Sequence, residues 1–172
     1  MTYNNNFSEQ EWFLVSSLPS MIGAAVATAG KSGFFGTMKE MMASARGMME
    51  AQEAYANNGL IQAIVNQGGD KEDVKARAEK YQQMAMDKMK EAGVQTPEQL
   101  AQIVLDDCYT VSDLLAERAS MDEVAEYKAW AMSVGQKVAE AAKEGGFLGF
   151  GGERVSESEE ALLGDVAAAL NI

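Results

Sequence analysis

The sequence contains no histidine. Without an imidazole there is no Ser-His-Asp or Cys-His nucleophile, no His-ligated zinc and no Glu-x-x-His di-iron bundle in its usual form. Cysteine occurs once, at Cys108, so no intramolecular disulfide can form, which fits a reducing compartment. Beside Asp106 and Asp107 in an apolar stretch, that thiol is expected to be buried and inert. Proline occurs only at Pro19 and Pro97, and aromatic residues are 8% of the chain. β-Branched residues are sparse while Ala, Met, Glu, Gln and Lys abound, which favours helix over strand. Basic residues are the remaining shortage: 14 Lys and Arg against 26 Asp and Glu, a net charge of −12. No local Lys/Arg cluster offsets this, so phosphate backbones and anionic lipid surfaces are repelled and a nucleic-acid partner is disfavoured.

What is present is apolar and repetitive. Apolar residues make up 47% of 172, enough for one sizeable core and a single domain spanning 1–172. Residues 8–33 align without a gap on 120–145 at an offset of 112, with Ser8/Ser120, Glu11/Glu123, Gly23/Gly135, Val26/Val138 and Ala27/Ala139 identical. One residue further on, Phe34-Phe35-Gly36 matches Phe147-Leu148-Gly149, extending the alignment to 8–36 and 120–149. This reads as an internal duplication, with repeat copies 8–56 and 120–170 around a helical insertion, 57–119. The two copies are expected to pack about a pseudo-twofold axis, burying the Gly23/Ala27 and Gly135/Ala139 faces.

The fold class expected is an all-α, single-domain helical bundle of about six to eight helices. Ser8 and Glu11 form a capping box for a first helix to about residue 30, which Pro19 should kink or divide. Thr37 and Glu40 supply a second box for a helix to about Ala56, ended by Asn57-Asn58-Gly59. A short apolar helix from Leu60 stops at Gly68-Gly69. Helix 71–91 is amphipathic, with Val74, Ala78, Tyr81, Ala85 and Met89 on one face. Thr96-Pro97-Glu98-Gln99 starts the next helix, with a break expected near Thr110–Asp113. Ser120 opens the second copy, and Ser156/Glu159 cap a last helix to about Leu170. Residues 12–30 are uncharged and about long enough to cross a membrane, yet their counterpart carries Glu126, Lys128, Lys137 and Glu140. A buried central helix, not a membrane span, is therefore expected. Met1–Glu11 lacks the basic start of a signal peptide, which points to the cytoplasm.

Three groups of residues are candidates for function. Gly145, Gly146, Phe147, Leu148, Gly149 and Phe150 form a glycine-aromatic loop, echoed by Gly33, Phe34, Phe35 and Gly36. Neither the P-loop nor the dinucleotide fingerprint is met, leaving core-packing turns or a ligand- and partner-binding loop. Met38, Met41, Met42, Met48 and Met49 share one broad helical face, which reads as core filling or as an adaptable groove. Hard cations could use Asp106, Asp107, Glu40 or Glu159, although adjacent helical residues point apart and first-turn glutamates serve the helix dipole.

The segment Val138-Ala139-Glu140-Ala141-Ala142, then Val155-Ser156-Glu157-Ser158-Glu159, then Leu162, Leu163, Val166 and Leu170 resembles the tellurite-resistance TerB-like family. The first copy resembles it through Val26–Ala29 and Thr37–Glu40. The resemblance implies an all-helical duplicated fold, an association with stress response and an acidic metal site. Lys31-Ser32-Gly33 and Lys143-Glu144-Gly145 stand where that family carries Asp-Gly, so only Glu40 and Glu159 match its acidic positions.

The leading expectation is a non-enzymatic, stress-associated interaction or scaffold protein without a cofactor, meeting an unidentified protein partner; a homodimer is compatible with it. The first alternative is a carrier of an apolar small ligand or lipid, with a Met- and Phe-lined pocket between the repeats. The second is a divalent-cation binder using Asp and Glu. No nucleophile–base pair can be named, so an enzyme is not expected.

Overall fold

The computed structural model describes residues 3–30, 34–143 and 155–172. Among them the chain forms a 3-10 turn, Tyr3–Asn6, then seven α-helices and no strand. The helices are α1 Glu9–Ala29, α2 Phe34–Ala54, α3 Gly59–Val65, α4 Lys71–Glu91, α5 Pro97–Arg118, α6 Met121–Lys143 and α7 Glu157–Leu170. This is the all-α bundle that composition implies.

Local signals account for most helix starts. Ser8/Glu11, Thr96/Gln99 and Ser156/Glu159 close reciprocal capping boxes, and Pro97 sits where its missing N–H costs nothing. Ser120 and Glu123 exchange the same bonds ahead of α6. Asp70/Asp73 builds a box for α4, with Asp in place of the usual Glu. Gly93, at φ +65°, ends α4 in the left-handed conformation, with Val94 N–H donating to Met89 O at 3.0 Å.

α1 is the central helix. It packs against α2, α5, α6 and α7, and Val15, Leu18, Ile22 and Val26 are buried in the core. It is long and apolar enough to cross a membrane by length and composition, but here those apolar side chains meet other helices. Tyr127, Trp130, Val134 and Val138 of α6 face it, with Val104, Val111 and Leu115 of α5. The α1–α6 seam is close. A Cβ on Gly135 would lie 2.8 Å from Ile22 Cγ2, and one on Gly23 would lie 3.3 Å from Val138 Cγ2. Gly135 also faces Val26, so these contacts exchange under the 112-residue offset.

Several expectations need correction. Pro19 does not divide α1, which runs unbroken for 21 residues. A proline deprives the carbonyl four residues earlier of its donor, and the buried Tyr127 hydroxyl donates to that carbonyl, Val15 O, at 2.6 Å. α5 is unbroken through Thr110–Asp113: Thr110 Oγ1 bonds Asp106 O within the helix, and Val111 is buried. Thr37 is not an N-cap, since the backbone is already helical from Phe34. Asn57-Asn58-Gly59 is not a left-handed helix end. Asn58 instead caps α3, accepting from Ile61 N–H while its amide donates to Glu123 O and to Glu126 Oε2.

The methionine face of α2 is not its core face. Of the described methionines, Met42 and Met49 are exposed and only Met48 is partly buried. The inward side carries small residues, Ser44, Gly47 and Ala51. With no side chain at Gly47, Val134 Cγ2 reaches 3.1 Å from the missing Cβ position and Trp130 Nε1 donates to Gly47 O at 3.2 Å. Close backbone approach to two large α6 side chains selects small residues over methionine.

Candidate functional site: a cleft beneath helix α4

Several sequence candidates fall beyond description. Gly33, Gly145, Gly146, Phe147, Leu148, Gly149 and Phe150 lie outside the described residues. Phe34, Phe35, Gly36 and Glu40 are placed in the first turns of α2 as backbone, and their side chains lie outside the description.

The described acidic candidates are separated. Asp106 is exposed and accepts from Gln102 Nε2 at 3.0 Å. Asp107 is buried and paired with Lys88 of α4. Burial pushes the Asp107 carboxyl up from its usual range, and the Lys88 ammonium opposes that. Glu159 is buried too: Oε2 accepts from the Ser156 amide and hydroxyl, while Oε1 has no hydrogen-bond partner among the described residues. Among the described residues, no three His, Cys, Asp or Glu side chains converge to hold a metal ion. Cys108 is fully buried, and desolvation followed by the Asp107 charge pushes its thiol up to about 12. That is the inert thiol expected.

Two capping glutamates carry a second load. Glu11 accepts a two-pronged contact from Arg118, at 2.9 Å on each oxygen. These bonds, then those from Ser8, hold its carboxyl down at about 2. Glu123, at the offset-equivalent position, accepts from Tyr3 Oη at 2.5 Å. The residues just before one long helix thus clamp the cap of the other.

The cleft lies elsewhere. α4 buries no residue and makes no extended contact with any other helix. It is tied at points: Lys80 to Glu9, Lys88 to Asp107, and Tyr81 edge-on to Phe13 with ring centroids 5.5 Å apart. Between α4 and the bundle remains an open cleft of about 790 Å³. α1 contributes Phe13, Ser16, Ser17 and Ser20; α2 contributes Met48; α3 and its following loop contribute Ile64, Val65, Asn66, Gln67 and Gly68. From α4 come Val74, Arg77, Ala78, Tyr81, Gln82 and Ala85. The surface is mostly apolar, and among the described residues Arg77 is the only charged one on it. Its Nη2 donates to Gly68 O at 3.1 Å. The Ser16 and Ser17 hydroxyls are turned back onto the carbonyls of Trp12 and Phe13, at 2.7 and 2.6 Å, so the α1 wall presents fewer free donors than its composition suggests.

The sequence did show one wall of this cleft, since Val74, Ala78, Tyr81 and Ala85 are the predicted apolar face of helix 71–91. It gave no indication that this face stays unburied. The available signal was the run Ser16, Ser17 and Ser20 within an otherwise apolar central helix. The seam between α1 and α6, where a carrier pocket was expected, is closely packed. A smaller groove of about 440 Å³ between α2 and α6 carries Met42, Arg46, Glu50, Lys137 and Glu140. Its charges pair internally, Glu50 with both Arg46 and Lys137.

Comparison with protein-family models, curated proteins and solved structures finds no match to this chain.

Proposed function

We propose that this chain is a cytoplasmic, non-enzymatic binding protein that takes an apolar small ligand in the cleft beneath α4. The observation that carries the reading is the amphipathic α4, whose apolar residues Val74, Ala78, Tyr81 and Ala85 line an open cleft, while only Met89 at its far end packs against the core. A volume of about 790 Å³ falls within the range of roughly 300–1,000 Å³ usual for small-molecule sites. The lining is mainly apolar with few convergent polar groups, as such sites require. The carrier reading is thereby moved from the repeat seam to the α1–α4 side.

A second reading, the stress-associated interaction or scaffold protein, draws on another feature. Met42 and Met49 expose adaptable apolar side chains on the outer face of α2, 68% and 75% accessible. Exposed methionines suit a protein-binding face. The divalent-cation reading loses support, because Asp107 is paired with Lys88.

Native mass spectrometry of the purified protein, beside a denatured sample, separates the readings. A non-covalent organic adduct that disappears in Ala78→Trp, a substitution that fills the cleft, is the outcome expected. An adduct that persists in Ala78→Trp, or an unmodified native mass, turns the assignment to the methionine face and a protein partner.

A further inference from the structure

We propose that the cleft selects a long-chain monoanionic amphiphile of the fatty-acid type, with Arg77 receiving the carboxylate. This rests on the cleft being the binding site and specifies the ligand that it takes.

Charge decides the class of ligand. In a protein of net charge −12, the described residues lining this cleft carry one formal charge, and that charge is positive. Among the described residues no carboxylate lines it, so a cationic head group finds no counter-ion there. One guanidinium matches one negative charge, which disfavours dianionic phosphate esters. A wholly apolar ligand would cover Arg77 without pairing it, and desolvating an unpaired charge is costly. The protein's overall negative charge acts against polyanionic surfaces at long range. It matters less for a monoanion in direct contact, since exposed charges are screened beyond about 8–10 Å at ordinary ionic strength.

Geometry supports the same assignment. Arg77 spends one N–H on Gly68 O, which steadies the guanidinium and leaves further donors for a carboxylate. No salt bridge engages Arg77 among the described residues. Polar groups gather beside it, in the Asn66–Gly68 loop, where Gln67 Oε1 lies 3.5 Å from Tyr81 Oη. The remaining lining, including Phe13, Met48, Ile64, Val74, Ala78 and Ala85, is suited to a hydrocarbon chain. A single charged polar end and an apolar remainder describe a single-chain amphiphile.

The experiment uses the full chain and Nile red, a neutral apolar dye, with palmitate, hexadecanol and hexadecyltrimethylammonium as competitors below their micellar concentrations. Nile red should bind wild type and be excluded from Ala78→Trp, and its own dissociation constant in Arg77→Gln sets the baseline for competition there. Palmitate should displace it from wild type far better than the other two do. In Arg77→Gln palmitate's affinity relative to that of hexadecanol should fall by about tenfold or more, the scale of a charge-assisted hydrogen bond. Circular dichroism melting verifies that each variant is folded. If Nile red fails to bind, or binds Ala78→Trp equally well, the cleft is not the binding site and both readings fall. If Nile red binds in the cleft but the three amphiphiles compete equally, or Arg77→Gln leaves palmitate unaffected, the carboxylate assignment is overturned while the binding cleft stands.

Discussion

Pro19 has no amide hydrogen, so the carbonyl of Val15 lacks its helical donor, and it lies in the core at 0% exposure. Tyr127 answers that need from α6 with a 2.6 Å hydrogen bond, and it is itself fully buried. Burial pushes the phenol well above its ordinary value, so the hydroxyl keeps its proton and remains a donor. Replacing Tyr127 by Phe strands both the carbonyl and the reason for tolerating Pro19. Tyr127→Phe is expected to destabilise the fold by about 1–3 kcal/mol in urea denaturation. Pro19→Ala restores an N–H to Val15 O, so the Tyr127→Phe cost should be clearly smaller in that background. A double-mutant cycle with no coupling would show that the two residues act independently. Pro19 was legible in the sequence as a hazard. Its remedy, 108 positions away, was not, because a carbonyl's partner is a matter of tertiary proximity.

α2 and α4 show at the element scale how an amphipathic pattern is used. In α2 the most apolar stripe is partly exposed and the small-residue stripe is buried, because contact with Trp130 and Val134 demands close approach at Gly47. In α4 the apolar stripe lines a cleft, and ion pairs to Glu9 and Asp107 do the holding. The exposed pair to Glu9 contributes little, about 0–1 kcal/mol, and the pair to the buried Asp107 is the firmer tie. α4 should therefore open at much lower free energy than α1. In hydrogen exchange, α4 amides are expected to be the less protected. Lys80→Gln should lower their protection further, by up to about fivefold for that exposed contact, and leave α1 unchanged. Protection in α4 equal to that of α1 would contradict the loose docking.

At the scale of the whole molecule, the clamps at Glu11 and Glu123 join the N-terminal turn to the α5–α6 corner. Glu11 titrates at about 2 in the fold against 4.5 for a free glutamate, Arg118 being the main cause. A depressed carboxylate contributes stability above its unfolded value and loses it as pH falls through the folded one. The melting-temperature gap between wild type and Glu11→Gln should thus be full above pH 4.5 and shrink as pH falls towards 2. A gap independent of pH would mean that charge on Glu11 is not what binds Arg118. Asp107 runs in the opposite sense: its raised value favours the fold as pH falls, even as protonation weakens the tie to Lys88.

By itself the sequence determined the helical class, most of the helix starts and the buried central helix. These depend on neighbours three or four residues apart, through capping hydroxyls, glycine stops and apolar spacing. It also determined the charge balance, which needs no fold. Only the tertiary structure decided which stripe of α2 faces inward, that α1 passes Pro19 unbroken, and that α4 stands off the bundle with Arg77 above a cleft. Each of these depends on which distant side chain arrives at a given place. Trp130, Tyr127 and Lys88 settle them through contacts that no local pattern contains.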